Sequence, residues 1–322
     1  MYKYLKTPTP DKSVSKALDT QGGNITGGAR RESALQAVRI ETSVREVRRM
    51  RIRDVIAREE TSLSFEFFPP RTQEDEERLL ETVRRLEAFT PTFLSVTYGA
   101  GGGTLKNTRH VVERIKEETS SIVMPHLTCI GQDREELKAI LSDYAAIGVE
   151  NVLALRGDSP REITGHVIRD RLCYAKDLVH LAASFNAFSI GVAVYPEGHR
   201  ESPSLEMDMV YTKEKIDVGA DFAITQMFFD NRYFYQFLER AERVGIGVPI
   251  IPGIMPITDI EKIKRFSQIC GATLPTQLVE RMERASSLAE ASKIGIDFAI
   301  IAMMGPSPVN YENIKHFLSK AM

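Results

Sequence analysis

No stretch of 18 or more consecutive apolar residues occurs in this 322-residue sequence, so no segment is long enough to cross a bilayer as a helix. The N-terminus also lacks the apolar core of a secretory signal, and a cytoplasmic location is expected. The three cysteines, Cys129, Cys173 and Cys270, lie far apart and form no Cys-x-x-Cys pair. They read as reduced thiols rather than a disulfide framework. The six histidines show no His-Glu-x-x-His or related spacing, so no metal site is expected. An excess of either charge is missing too, since 42 Lys and Arg against 44 Asp and Glu leave a net charge of -2. Neither nucleic acid nor an anionic membrane has an electrostatic claim on such a chain. P-loop and nucleophile-elbow patterns are absent, which leaves a bound organic cofactor as the simplest route to difficult chemistry.

What is present is ordinary globular composition, 43% hydrophobic and 27% charged, enough for one large domain or two small ones. Residues 1–29 are rich in Lys, Thr, Ser, Gly, Asp and Pro and read as disordered. From Arg30 to about Glu60 the pattern turns helical and basic, with Arg39, Arg45, Arg48, Arg49, Arg51 and Arg53. Glu32, Glu41 and Glu46 argue against an organelle-targeting peptide, and a solvated helical arm is the simpler reading. Residues 1–50 are therefore expected to be an arm, disordered and then a basic helix, that activity does not need. Met50 offers an alternative start. Residues 51–322 are expected to form a single catalytic domain.

Beyond Ser62, short apolar runs alternate with amphipathic stretches. Strands are expected at Leu63–Phe68, Thr92–Thr97, Ile122–Leu127, Asn151–Leu155, Phe188–Val194, Phe222–Met227 and Pro249–Ile254. Helices are expected near Asp75–Phe89, Asn107–Glu118, Arg134–Ile147, Ala175–Ser184, Met207–Val218, Tyr233–Val244 and Asp259–Gln268. Nearly continuous apolar strands alternating with helices mark a parallel sheet covered on its faces. Units of this length favour an α/β fold of the (β/α)8 TIM-barrel type over a doubly wound sheet.

In such a barrel chemistry sits at the C-terminal ends of the strands, and there this chain places polar groups. The first strand, Leu-Ser-Phe-Glu-Phe-Phe-Pro-Pro, surrounds Glu66 with apolar side chains. A buried carboxylate must pair or take up a proton, and a raised pKa would suit a general acid. A solvent-facing Glu66 on an alternating strand is the competing reading. Later strands end in Thr97-Tyr98-Gly99, Pro125-His126, Arg156-Gly157-Asp158, Tyr195-Pro196-Glu197-Gly198-His199 and Gln226-Met227. Singly, His126 reads as a core histidine, and Phe228, Phe229 and Phe266 read as core aromatics. The glycines of Gly99–Gly103 miss the dinucleotide pattern, because Thr104 stands in place of the third glycine.

Taken together, FEFFPP, SVTYGA, PHLTC, ALRGD, YPEGH, AITQMFFD and IIPGIMP, in this order, resemble the 5,10-methylenetetrahydrofolate reductase family from about Leu63 to Phe266. The resemblance implies a (β/α)8 barrel holding FAD non-covalently. It implies reduction of 5,10-methylenetetrahydrofolate to 5-methyltetrahydrofolate with NADH or NADPH, in the one-carbon metabolism that feeds methionine biosynthesis. By matching position, Glu66 is the expected proton donor to folate N10, and hydride is expected from flavin N5. Asp158 is expected between flavin and folate, as a catalytic group that also touches both. Gln226 and Phe266 are expected at the folate. Thr97, His126, Arg156, Gly157, Ala193, Tyr195, His199, Asp208 and Lys215 are expected to line FAD. A homo-oligomer is also implied.

Two departures stand out. Tyr211 and Glu214 occupy positions where bacterial relatives often have Asn and Arg near the FAD phosphates. The family's closing His-Phe-Tyr-Thr-Leu-Asn segment is missing, so the eighth strand is expected to be atypical or missing. By alignment Ala291–Ala302 is a helix. By bare pattern Ile296–Met303 reads as a strand, with Tyr311–Met322 as the closing helix. Two rivals to the reductase reading follow. One is a folate- or flavin-binding protein whose turnover is impaired by the lost strand. The other is an enzyme fed by a protein electron donor instead of a nicotinamide.

Overall fold

Five of the parallel strands, from Phe93–Val96 to Phe222–Thr225, are buried for most of their length, which explains why their sequences are apolar without alternation. The computed structural model describes residues 2–6, 50–59, 61–98, 104–158 and 170–304, with 2–6, 104–106 and 301–304 as backbone only. The strands are β1 (Tyr2–Lys6), β2 (Thr61–Phe67), β3 (Phe93–Val96), β4 (Val123–Thr128), β5 (Asn151–Leu155), β6 (Ser189–Val194), β7 (Phe222–Thr225), β8 (Ile250–Ile251) and β9 (Gly253–Ile254). From β2 to β8 every neighbour pairs in parallel, giving a curled sheet with helices in the connections. This is the expected (β/α)8-type architecture with an irregular closure. The expected single strand Pro249–Ile254 is divided, because Pro252 has no N–H to give to a ladder.

The helices form where caps and dipole-matched charges allow. Helix Gln73–Leu86 starts at Thr72, whose side chain accepts the Asp75 N–H. Its first turn holds Glu74, Asp75 and Glu76, and its last holds Arg84 and Arg85. Leu80, Val83 and Leu86 share its buried face. Helix Arg134–Ala146 begins in a reciprocal capping box between Asp133 and Glu136. The remaining expected helices are present within a few residues of their expected limits. Helix Thr276–Glu283 was not expected.

Ile52–Ile56 is the part of the basic helical pattern that falls among the described residues, and it corrects the reading of a solvated arm. Ile52 and Ile56 are fully buried against Phe93, Met124, Leu153, Phe222, Ile224 and Ile251, which point into the barrel from β3, β4, β5, β7 and β8. Asn151 Oδ1 accepts the Ile52 N–H at 2.7 Å, and Ser189 Oγ accepts the Arg53 N–H at 3.2 Å. Arg53 Nη1 lies 3.0 Å from Asp221 Oδ1. These partners stand at the starts of β5, β6 and β7, so the helix plugs the N-terminal end of the barrel and leaves the opposite rim for ligands.

The expectation of a wholly disordered N-terminus also needs correction. β1 pairs antiparallel with β2, Tyr2 opposite Phe65 and Lys6 opposite Thr61, and antiparallel with β9, Tyr2 opposite Ile254. It stands between the first and last parallel strands, where an eighth strand would close the sheet. Two unpaired edges offered to a short alternating segment are sufficient reason for it to become a strand. At the other end of the chain, Leu288–Met304 is a helix, so the strand alternative for Ile296–Met303 does not hold. The Gly99–Gly103 loop, the stretch from Arg30 to Arg49 and the tail from 305 on lie outside the described residues.

Candidate active site

Glu66, near the end of β2, points into the barrel rather than to solvent. Its side chain is 10% exposed, and its Oε2 lies 3.6 Å from Nε2 of His126, itself 7% exposed. Two residues assigned separately in sequence, one as acid and one as a flavin contact, thus form a single buried pair. Thr97, just past β3, is buried beside this rim. Its N–H donates to Phe67 O at 2.8 Å and its carbonyl accepts from Thr108 Oγ1 at 3.1 Å. Its own Oγ1 has no hydrogen-bond partner among the described residues.

A second group gathers at the ends of β5 and β6. Arg156 Nη2 donates to Glu201 Oε1 at 2.8 Å, Nη1 donates to the other carboxylate oxygen, and Nε donates to Gly157 O at 3.2 Å. Its guanidinium is thereby fixed in a bidentate fork, and Glu201 is held below the usual carboxylate range by that hydrogen bond. Gly157 has φ of +86°, and a Cβ there would lie 3.0 Å from Thr128 Cβ, so the turn requires glycine twice over. Asp158 stands exposed at the tip of β5.

Asp208 and Lys215 lie seven residues apart on one face of helix Leu205–Asp217. Burial pushes the Asp208 carboxyl up, with Lys215 and the His199 N–H acting the other way. Burial pushes Lys215 down to about 8, opposed by Asp208. Lys215 Nζ donates to Ala193 O at 2.6 Å and lies 6.0 Å from the Tyr195 ring centroid. No carboxylate stands within ion-pair distance of it among the described residues, which leaves a desolvated cation suited to an anionic group. Tyr195 packs edge-on against His199 at 4.7 Å and is pushed up to about 12 by burial. His199 is shifted down, first by burial and then by Arg156.

Gln226 follows β7 directly. Its N–H donates to Val194 O at 2.7 Å, and its Oε1 accepts the Met227 N–H at 2.9 Å. With Tyr195 and Met227 it faces Cys270, Gly271 and Ala272 across a closed wedge holding about 10 Å³ of free space. Phe266 lies on helix Ile260–Cys270, 40% exposed. A wider cleft of about 440 Å³, between Asp230–Tyr233 and Thr273–Gln277, contains none of the expected site residues. Among the described residues no helix is long and apolar enough to cross a membrane.

The family model for methylenetetrahydrofolate reductase matches residues 51–305. This chain belongs to that family. It is 40% identical over 257 residues to 5,10-methylenetetrahydrofolate reductase of Salmonella typhimurium, covering 80% of this chain and 84% of that one. The Escherichia coli protein of the same name is 38% identical with the same coverage. Methylenetetrahydrofolate reductase (NADH) 1 of Arabidopsis thaliana is 36% identical over 262 residues, 77% of this chain and 44% of the plant protein. Among solved structures, a Clostridium thermocellum protein described as binding two copies of 5-methyl-5,6,7,8-tetrahydrofolic acid superposes with a TM-score of 0.53. It is 16% identical and covers 80% of this chain and 84% of its own, a likeness of fold.

Within this family, the departure at Tyr211 and Glu214 acquires a structural setting. Glu214 is paired with Lys176 at 2.8 Å, and Tyr211 is 44% exposed, so neither enters the buried cluster around Lys215. Sequence reasoning missed Glu201 and Cys270. Glu201 is 45 residues from the arginine it holds, and Cys270 reaches the wedge only because a helix ends there. No local pattern marks either one.

Proposed function

We propose that this protein reduces 5,10-methylenetetrahydrofolate to 5-methyltetrahydrofolate at the C-terminal rim of the barrel, with FAD and a nicotinamide nucleotide. The observation that carries the reading is the buried Glu66–His126 pair at the strand ends of a chain of this family. Burial disfavours the charged form of a carboxyl, and a neutral Glu66 is a proton donor to folate N10. His126 Nε2 stands 3.6 Å away, beside that carboxyl but beyond hydrogen-bond length. Asp158, exposed at the tip of β5, brings negative charge to the rim, where a cationic one-carbon unit would develop. Gln226 and Phe266 are the residues that the family resemblance assigns to the folate.

The chain's residues fit FAD. Lys215 offers a desolvated cation to an anionic phosphate, and Thr97 offers a buried hydroxyl with unused hydrogen-bonding capacity. Ala193, Tyr195, His199, Asp208, Arg156 and Gly157 complete that wall. Bound FAD would supply the two-electron relay between nicotinamide and folate. The folate found with the Clostridium thermocellum protein, which shares this fold, is the product of the proposed reaction.

The rival of a binding protein with impaired turnover rests on an open sheet edge, and the pairing of β1 with both β2 and β9 speaks against that edge. The deciding experiment is anaerobic: protein with FAD is treated with NADH, then with 5,10-methylenetetrahydrofolate. Bleaching of the flavin absorbance followed by its return supports the reductase. Protein that takes up no flavin defeats it. Flavin that neither NADH nor NADPH reduces, but that folate reoxidises after chemical reduction with dithionite, points instead to a protein electron donor.

A further inference from the structure

Helix Ile260–Cys270 presents Phe266 and Ile269 on its outer face, 40% and 64% exposed. Like any helix it ends with carbonyls that have no partner inside it. One side chain takes two of them: Arg200 Nη1 donates to Gln268 O at 2.6 Å and to Ile269 O at 3.2 Å. A cation is also favoured at this end by the helix dipole. Arg200 comes from the loop after β6, next to His199. The same loop reaches across a second time, where the Glu197 carboxylate accepts the Thr273 N–H, 3.0 Å and 3.2 Å to its two oxygens. The crossing has its own steric requirement. Gly271 has φ of +76°, and a Cβ there would lie 2.8 Å from Arg200 Cγ. At its start the loop is anchored from a third element, since Arg240 Nη2 donates to Pro196 O at 2.8 Å.

We propose that Arg200 and Glu197 are positioning residues for the folate, locking the helix that carries Phe266 against the strand ends that carry Tyr195 and Gln226. The inference rests on the functional reading above and adds a device to it. The wedge between Cys270–Ala272 and Tyr195, Gln226 and Met227 is narrow, with room for about 10 Å³, no more than one water. A shift of the helix end is therefore passed on to Gln226 rather than absorbed by empty space. Without the tether, the wall that carries Phe266 is ordered only on binding, and that ordering weakens affinity.

The test compares Arg200→Ala, Arg200→Lys and Glu197→Gln in the full chain loaded with FAD. Losing a charge-assisted double contact is expected to raise KM for 5,10-methylenetetrahydrofolate and the calorimetric Kd for 5-methyltetrahydrofolate by about tenfold in R200A. Flavin content and the rate of flavin reduction by NADH are expected to stay at wild-type values. R200K, which keeps one charged donor, recovers most of the affinity, and E197Q gives a smaller loss. Amide exchange at Gly271–Thr273 quickens in R200A while the barrel strands keep their protection. Unchanged KM and Kd in R200A overturn the proposal, as does parallel loss of flavin. A wild-type protein with no folate affinity overturns the functional reading and this inference with it, whereas wild-type affinity that R200A leaves unmoved overturns this inference alone.

Discussion

Oε2 of Glu66 lies 3.6 Å from Nε2 of His126, inside the rim of the barrel, with both side chains about nine-tenths buried. The contact joins β2 to β4 across β3. An acid placed this way acts only on the half-reaction that needs a proton. Glu66→Gln keeps the shape and removes the proton. Reduction of the folate is expected to fall by at least ~100-fold, in the range general acid catalysis supplies. Reduction of the flavin by NADH is expected to continue at nearly its full rate. Stopped-flow measurement of the two half-reactions separates these outcomes, and equal loss in both would remove Glu66 from the acid role.

Lys215 gives a pH dependence whose direction is set by its burial. Its folded pKa of about 8 lies below the ordinary lysine value of 10.5, so charging it opposes folding. Below pH 8 the amine is charged in both states and that cost is fully present. Between about 8 and 10.5 the folded state gives up its proton first, so this group's contribution to stability rises with pH. In the FAD-free protein, the difference in unfolding free energy between wild type and Lys215→Met should therefore shift in favour of wild type across that window. Flavin affinity should move the opposite way and weaken as pH passes about 8, because the neutral amine no longer meets an anion. Denaturant melts and flavin titrations at several pH values check both slopes.

The parallel strands from β3 to β7 were legible because they are buried on both faces and so read as runs of apolar residues. Asn151–Leu155 and helix Ala175–Ser184 were placed at their observed limits. What was not legible depends on partners distant in sequence. Ile52 and Ile56 look like the apolar side of a basic surface helix until Asn151, Ser189 and Asp221 are seen to hold that helix in the barrel floor. Tyr2–Lys6 is too short to signal a strand, and what makes it one is the pair of open edges on β2 and β9. The candidate site was readable as a set of residues by family resemblance. The pairing of Glu66 with His126 and the fork from Arg156 to Glu201 come only from the fold.

The barrel floor yields a stability prediction independent of the chemistry. Ile52 is fully buried among Phe93, Met124, Leu153 and Phe222, and its N–H has Asn151 Oδ1 as acceptor. Ile52→Ala removes packed volume from a site closed on all sides and should cost about 2–5 kcal/mol. Asn151→Ala leaves a buried N–H without its acceptor and should cost about 1–3 kcal/mol. Both variants are expected to melt earlier in differential scanning calorimetry while binding flavin normally at low temperature, since the floor and the rim are at opposite ends of the strands. A variant that loses flavin while melting like wild type would contradict that separation.

The pairing of the N-terminal strand predicts that the arm is needed, against the expectation that it is dispensable. β1 supplies the antiparallel partner of β2 from Thr61 to Phe65 and of β9 at Gly253 and Ile254, immediately beside Glu66. A chain begun at Met50 keeps the barrel floor but exposes both edges, and exposed edges pair with other molecules. Such a truncation is expected to unfold earlier, to aggregate and to reduce folate more slowly. Proline at Tyr4 or Leu5 tests the strand without removing the arm, because it deletes one backbone N–H from the ladder. Those single variants should reproduce part of the truncation's loss. Full stability and activity in the chain begun at Met50 would show that the sheet closes without Tyr2–Lys6.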